Sequence, residues 1–423
     1  MGFKTTIVMR RHVFILDERG RTSTYGIGSY LTQVKNCFAQ MSDVSVHIIR
    51  FNMPVAIYDI HHIDNKLEEI SFASYDQVPT CHIARYYRSC WYLLRSFLQI
   101  EKDAPVYFFL NHTKYYLLVP EIKQTFPHST IYFTIHYQKW CFLLDGQVAA
   151  LRSVLSKQEQ ELQGMEQDIW HSFQEEQSAY RSVDRVVSLS HFTSGLLQQV
   201  YQIPPHKIDL VYNGMGDVAP VGPRDKESLK KELGFPSEER IILFVGRLDP
   251  VKGVHLLLRA FMALSEELPD CRLILAGDGN LLPYLQACDR HWGRITFTGR
   301  LGKERLYQLY QMADIGVMPS LHEQCSYTAI EMMMFGIPLI ASTTTGLKEM
   351  IRENVNGLLF EMHDEADEGA TRQLQILMKE LLTDPQRLAG LQQGARSVYE
   401  EVYSLEKMAD AYARLIGLDK KNP

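Results

Sequence analysis

The run Arg240-Ile241-Ile242-Leu243-Phe244-Val245-Gly246-Arg247-Leu248-Asp249-Pro250-Val251-Lys252-Gly253 reads as a strand, a loop and the opening of a helix. Its apolar segment has strand length and stops at glycine. Arg247 and Lys252 then flank a short turn that leads into the helical pattern His255–Leu264. At the carboxyl edge of a parallel sheet such a turn faces the ligand crevice. Arginine offers a planar fork for phosphate oxygens and lysine a mobile point charge. A random Arg/Lys pair in a loop is more often a solvated surface. Here the glycine on each side and an acidic motif downstream favour a phosphate site.

Working outward, the same rhythm recurs. Arg272–Ala276, Ile295–Thr298, Ile315–Met318 and Pro338–Ala341 are further strand-like runs, and Gln386–Gly417 reads as largely helical. Upstream, Thr5–Met9, Val13–Leu16, Val44–Phe51, Val106–Leu110, Thr130–Ile135 and Val186–Ser190 alternate with helical stretches such as Ser29–Met41. Strands alternating with helices predict parallel sheets covered on both faces, an α/β fold. A linker rich in turn formers, Asn213-Gly214-Met215-Gly216 through Pro220 and Pro223, divides the halves. The expected organisation is an amino-terminal domain over 1–208, a second domain over 209–395 and a terminal helical segment over 396–423. Two Rossmann-like domains facing across a cleft are the expected architecture. Within the first domain, 146–181 reads as one long proline-free helical stretch.

Bulk properties exclude several classes. At 423 residues the chain has room for two cores, and its 46% hydrophobic and 22% charged residues are ordinary for a globular protein. The net charge of -6 argues against a nucleic-acid coat, and the excess is local: residues 1–204 carry 19 basic and 19 acidic side chains, the remainder 25 and 31. Seven scattered cysteines with no C-x-x-C pair predict a reduced, cytoplasmic chain. No apolar run reaches the length of a membrane span, so membrane contact is at most peripheral. One candidate for such contact is Arg85-Tyr86-Tyr87-Arg88-Ser89-Cys90-Trp91-Tyr92-Leu93-Leu94-Arg95, with its arginines on one helical face. A helix packed on the sheet with arginines in water is favoured over a membrane-surface helix.

The acidic motif is Glu323-Gln324-Cys325-Ser326-Tyr327-Thr328-Ala329-Ile330-Glu331, placed after the strand Ile315–Met318. Glu323 belongs on the loop and a helix should begin near Ser326, where the N–H groups of Ser326 and Tyr327 can meet a phosphate. The carboxylates suit hydroxyl groups, those of a sugar at Glu323 and of a ribose at Glu331. Thr328-x-x-Glu331 also fits a helix capping box, the plainer alternative for Glu331.

Taken together these motifs resemble the family-four retaining glycosyltransferases, which have the two-Rossmann GT-B architecture. The resemblance rests on Gly246-Arg247-Leu248 to Lys252-Gly253, Ala276-Gly277-Asp278-Gly279, Phe297-Thr298-Gly299, Pro319-Ser320, the Glu323/Glu331 pair and the interdomain Asn213-Gly214. It implies catalytic roles for Arg247, Lys252 and Glu323, and donor binding by Gly246, Ser326, Tyr327 and Glu331. It also implies base contacts from backbone near Gly299, Arg300 and Leu301. In the first half, Thr24-Tyr25-Gly26-Ile27-Gly28-Ser29-Tyr30 resembles the family's glycine-rich loop before the first helix, where Gly26 and Gly28 would let backbone approach the diphosphate or the acceptor. Phe133-Thr134-Ile135-His136 resembles its strand ending in a histidine beside the reacting sugar, so His136 is expected to touch the donor sugar. Two positions depart from the pattern: Cys325-Ser326 stands where relatives have Phe-Gly, and Tyr137 where they have Asp.

The implied activity is transfer of a hexose-type sugar, with retention, from a nucleotide-diphosphate donor to a glycan, a lipid-linked precursor or a peptide. No D-x-D motif and no zinc spacing occur, so no cofactor, metal or Mg²⁺ requirement is expected. The stretch Phe14–Gly20, running on to Gly28, resembles a bacterial subgroup associated with radical-enzyme peptide maturation, which points to a peptide acceptor. A catalytically degenerate binding or scaffold protein, or a nucleotide-sugar epimerase, is the alternative.

Overall fold

The computed structural model describes residues 9–18, 26–74, 82–220, 222, 225–364 and 366–418. The chain divides into two compact units. One comprises Met1–Lys139, Arg152–Asn213 and Leu405–Pro423; the other comprises Trp140–Leu151 and Gly214–Ser404. The units therefore divide at Asn213/Gly214 rather than at 208/209, and the short segment Trp140–Leu151 goes with the second.

Among the described residues the first unit has an eight-stranded sheet. Its strands are β1 (Arg11–Glu18), β2 (Val44–Met53), β3 (Tyr58–His62), β4 (Leu67–Ala73), β5 (Val106–Leu110), β6 (Thr130–Thr134), β7 (Arg185–Ser188) and β8 (Ile208–Leu210). The order is β3-β4-β2-β1-β5-β6-β7-β8. All neighbours are parallel except the edge pair β3/β4. The strand order reverses between β1 and β5, which makes their carboxyl ends the switch point of this sheet. Burial follows the apolar runs, as at Val13–Leu16, Phe108–Leu110 and Ile131–Phe133. The helix Leu405–Leu415 returns to this unit, where the Tyr412 hydroxyl lies 2.7 Å from that of Tyr30 on the first helix.

Several expectations change here. The long helix over 146–181 is three pieces: Val148–Leu155, a 3₁₀ turn Glu159–Glu161 and Met165–Ser182. Gln158 and Glu161 cap that turn reciprocally, and Gly164 stands at φ 55°, ψ -124°, outside helical space, so no helix can run through. The first helix begins at Gly26, so Gly26 and Gly28 lie within it rather than on a loop before it. Thr24 and Tyr25, and Thr5 to Val8 of the first strand-like run, fall outside the described residues. The hairpin β3/β4 was not expected. In the helix Ile83–Phe97, Tyr87, Cys90, Trp91 and Leu94 are buried while Arg85, Arg88 and Arg95 are exposed, the packed arrangement rather than a bare apolar face.

The second unit carries β9 (Arg240–Val245), β10 (Cys271–Ala276), β11 (Ile295–Gly299), β12 (Ile315–Met318), β13 (Leu339–Ser342) and β14 (Gly357–Phe360), in the order β11-β10-β9-β12-β13-β14. Every neighbouring pair is parallel. The helix Val254–Glu267 buries Val254, Leu257, Leu258, Phe261 and Leu264, the 3.6-residue stripe, against Ile242, Phe244 and Leu273 of the sheet. The order reverses between β9 and β12, so the loops that follow these two strands flank this sheet's switch point.

Candidate functional site

The loop after β9 and the loop after β12 are tied together. Gly253, at φ +66°, starts the helix after β9 and lies so close to the second loop that a Cβ there would stand 2.0 Å from the Pro319 carbonyl oxygen. This left-handed position and this contact both demand glycine. Next to it, Lys252 Nζ lies 2.5 Å from Glu323 Oε1, and the Ser320 hydroxyl donates to the same oxygen at 3.2 Å. Both members of the pair are largely buried. The Glu323 backbone is pinned as well: its N–H donates to Thr345 Oγ1 at 2.9 Å, and its carbonyl accepts from that hydroxyl at 2.7 Å and from Gly346 N at 2.9 Å. A cation and a carboxylate thus stand fixed at the carboxyl ends of two adjacent strands.

Arg247 is more exposed, with 40% of its side chain accessible and its Nη2 3.0 Å from Asp249 Oδ2. Gly246 continues the strand line and donates its N–H to Ala276 O at 3.0 Å. His322, beside Glu323, is 5% exposed, and neither ring nitrogen meets a hydrogen-bond partner. Burial lowers its pKa to about 4, Lys252 adding to the effect and Glu323 opposing it, so the ring is neutral at ordinary pH.

The helix Tyr327–Met334 begins where expected, with Ser326 as its N-cap and the Ser326 hydroxyl accepting from Ala329 N. This removes the capping-box alternative, because with Ser326 at the cap Glu331 lies in the helix's second turn. Glu331 is 4% exposed, and both of its oxygens are engaged: one by Lys303 Nζ, the other by the Tyr310 hydroxyl at 2.8 Å. Burial and the facing carboxylate push the Tyr310 hydroxyl's pKa well up, so it remains a donor. The Ser326 N–H, expected to be offered to a phosphate, points at the Met350 sulfur, 3.3 Å away. Tyr327 is buried, while Arg300 is exposed and Leu301 half-buried on the segment that follows the left-handed Gly299 (φ 66°).

In the first unit the described groups just beyond β5 and β6 are neutral. Asn111 follows β5 directly and His136 stands two residues beyond β6. His136 Nε2 lies 3.1 Å from Asn111 Oδ1, and the Tyr30 ring packs edge-on against the imidazole at 4.3 Å between centroids. Burial, with His112 adding to it, lowers the His136 pKa to about 3. Gly28 lines a cavity of about 270 Å³ with Asp17, Thr32, Lys35 and Arg50, whereas Gly26 is exposed on the helix's first turn. Burial raises the Asp17 pKa to about 6 against the pull of Arg50.

The structure thus brings Arg247, Lys252, Glu323 and Gly246 to one switch point and sets Ser326, Tyr327 and Glu331 on the helix that follows it. Lys303, Tyr310 and Asn111 are the groups that sequence reasoning missed. Lys303, Tyr307 and Tyr310 recur at i, i+4 and i+7 on the helix Lys303–Met312, a readable stripe aimed at a buried acid. Asn111 carried no signal beyond its place after an apolar run.

Comparison with known proteins agrees with this geometry. Residues 225–397 match the family described as glycosyl transferases group 1. A Methanocaldococcus jannaschii protein named as an uncharacterized glycosyltransferase is 31% identical over 188 residues, 43% of this chain and 47% of that protein. The D-inositol 3-phosphate glycosyltransferase of Mycolicibacterium vanbaalenii is 28% identical over 262 residues, 57% of this chain and 55% of its own. The chain spans about half the length of the curated relatives it matches. Among solved structures, sucrose-phosphate synthase from Thermosynechococcus elongatus superposes with a TM-score of 0.73 at 19% identity, covering 96% of this chain and 98% of that one. Anabaena HepE in complex with UDP gives 0.69 at 16% identity, covering 96% and 99%. The chain therefore has the two-domain GT-B fold, and its residues 225–397 are similar to the glycosyl transferases group 1 family.

Proposed function

We propose that the chain is a retaining hexosyltransferase that takes a sugar from a nucleotide-diphosphate donor and passes it to an acceptor hydroxyl without a metal ion. The observation that carries this reading is the Lys252–Glu323 pair at the switch point between β9 and β12, with Arg247 on the same loop. Lys252 and Arg247 supply positive charge where the departing diphosphate gains negative charge. Glu323 accepts from sugar hydroxyls, and Glu331, set by Lys303 and Tyr310, from those of the ribose. The bond from the anomeric carbon to the diphosphate oxygen breaks as the bond to the acceptor oxygen forms on the same face. The acceptor's proton passes to the leaving phosphate oxygen.

HepE holds UDP in its structure, which supports uridine nucleotides as the first donors to try. The acceptor side stays within three classes: a glycan, a lipid-linked precursor or a peptide of the radical-maturation type, in a cytoplasmic, bacterial setting. One observation favours a second reading. The Ser326 N–H is turned to a methionine sulfur at the point where Cys325-Ser326 replaces the family's Phe-Gly, which fits a protein that binds nucleotide without turnover.

A thermal-shift and hydrolysis screen against UDP-, GDP-, ADP- and TDP-sugars decides between them. Stabilisation by one donor and slow loss of its sugar, both absent in Glu323→Ala, establishes the transferase. Stabilisation without loss of sugar against any acceptor class establishes the binding protein, and no response to any nucleotide sinks both.

A further inference from the structure

We propose that Asn111 is a positioning residue that holds His136 as the neutral Nε2–H tautomer and leaves Nδ1 as a bare acceptor for a hydroxyl of a bound sugar. This rests on the reading of His136 as a donor-sugar contact and deepens it: the sugar must present a hydroxyl there, not a carboxylate.

The tautomer follows from what each neighbour can do. Asn111 Nδ2 lies 3.1 Å from the Leu16 carbonyl oxygen and 3.3 Å from that of Phe109. Carbonyl oxygens only accept, so the atom facing both must be the amide NH₂. The amide oxygen is then the atom facing His136 Nε2 at 3.1 Å, and it has no proton to give. The proton in that bond therefore sits on Nε2. A neutral imidazole carries one ring proton, so Nδ1 is bare. The ring is kept neutral by its burial, the first cause of its lowered pKa, and by His112 nearby.

The arrangement is rigid from both sides. Leu16 is on β1 and Phe109 on β5, so the Asn111 amide stitches together the two strands that flank the switch point. The Tyr30 ring closes the other side of the imidazole, and its hydroxyl is fixed by Thr134 Oγ1 at 3.0 Å and Tyr412 at 2.7 Å. Among the described residues no group bonds to Nδ1. An acceptor nitrogen on a neutral ring pairs with an O–H. A sugar carboxylate in the same place sets lone pair against lone pair with no proton between them.

The test uses the full chain labelled with ¹⁵N-histidine, with the His136 signals assigned by their loss in His136→Gln. The expected long-range ¹H–¹⁵N spectrum has a protonated-type Nε2 and a bare-type Nδ1 that do not change between pH 5 and 8. The opposite tautomer, or a titration in that range, overturns the proposal. Asn111→Leu should lose the single-tautomer pattern and lower kcat/KM for UDP-glucose on the order of 10-fold. An unchanged spectrum in that variant overturns the role of Asn111. Asn111→Asp restores the acceptor but adds charge, so it should recover the Nε2–H pattern and introduce a pH dependence that the native enzyme lacks. A merely structural asparagine would give neither. UDP-glucuronic acid should bind the native protein on the order of 10-fold more weakly than UDP-glucose, and equal binding overturns the sugar-class inference. If the native protein turns over none of the UDP-, GDP-, ADP- or TDP-sugars, the transferase reading falls, while the spectrum still decides the tautomer by itself.

Discussion

The two sheets reverse their strand order at comparable places, β1/β5 in one and β9/β12 in the other, yet the described groups beyond their strands differ in chemistry. In the second unit the loops present ion pairs: Lys252 with Glu323, Arg247 with Asp249 and, on the neighbouring helices, Lys303 with Glu331. In the first unit the described residues beyond β5 and β6 hold an amide and a neutral imidazole with a phenol ring against it, while β1 itself ends in Asp17 and Glu18. Ion pairs suit a ligand that brings and releases phosphate charge; neutral hydrogen-bonding groups suit one that brings hydroxyls. The backbone device is the same, and the side chains decide what it can hold.

The sharpest way to break this contrast is Arg247→Ala. If the second switch point handles diphosphate charge, kcat/KM should fall on the order of 100- to 1000-fold with an unchanged melting profile, since the side chain is 40% exposed. Full turnover would leave the charged site without a function. Glycines separate the units next. Gly253→Ala forces a Cβ into the Pro319 carbonyl at a left-handed φ, and should cost about 3 kcal/mol in denaturant melts. Gly26→Ala, with open space around it, should move stability by less than about 1 kcal/mol.

Buried phenols give the next comparison. Tyr310→Phe leaves a Glu331 oxygen without its donor and should cost about 2 kcal/mol, against about 1 kcal/mol for Tyr30→Phe, whose partners are hydroxyls. Equal costs would mean that the charge of Glu331 does not matter to its setting. The smallest effect is a pH slope. His322 is held near 4 by burial, while in the unfolded chain it binds a proton below about 6.5. Its stabilising contribution is therefore fully present above that value and is lost as pH falls toward 4. Between pH 7 and 5 the native protein should lose about 1–2 kcal/mol that His322→Phe retains. Parallel slopes would show the ring already charged or hydrated in the fold.

Much of the second unit was legible because its signals are local. β9 and β10 carry continuous apolar runs, Ile241–Val245 and Leu273–Ala276, β11 alternates Ile295 and Phe297 with threonines, β12 and β13 are short and largely apolar, and the Ser326 cap follows from a hydroxyl residue ahead of an apolar helix. The first unit was less so. β3, Tyr-Asp-Ile-His-His, is almost wholly exposed and has no strand periodicity of its own. It exists because β4 offers an edge, with Ile60 opposite Ile70 and His62 opposite Glu68. The long helix expected over 146–181 fails for the opposite reason: its composition favours a helix throughout, but Gly164 leaves helical space and the 3₁₀ turn is capped by its own side chains.

The sequence by itself determined the alternating α/β order, the loops that carry Arg247, Lys252 and Glu323, and the helix start that sets Glu331. These depend on residues within a few positions of one another, where periodicity, capping and glycine geometry act directly. Only the tertiary structure decided that Glu331 is gripped by Lys303 and Tyr310, that the Ser326 N–H turns to Met350, and that Asn111 fixes the proton on His136. Each of those outcomes joins groups from 21 to 28 residues apart through burial and hydrogen-bond geometry. Which donor meets which acceptor is settled by packing, and the one-dimensional pattern does not encode it.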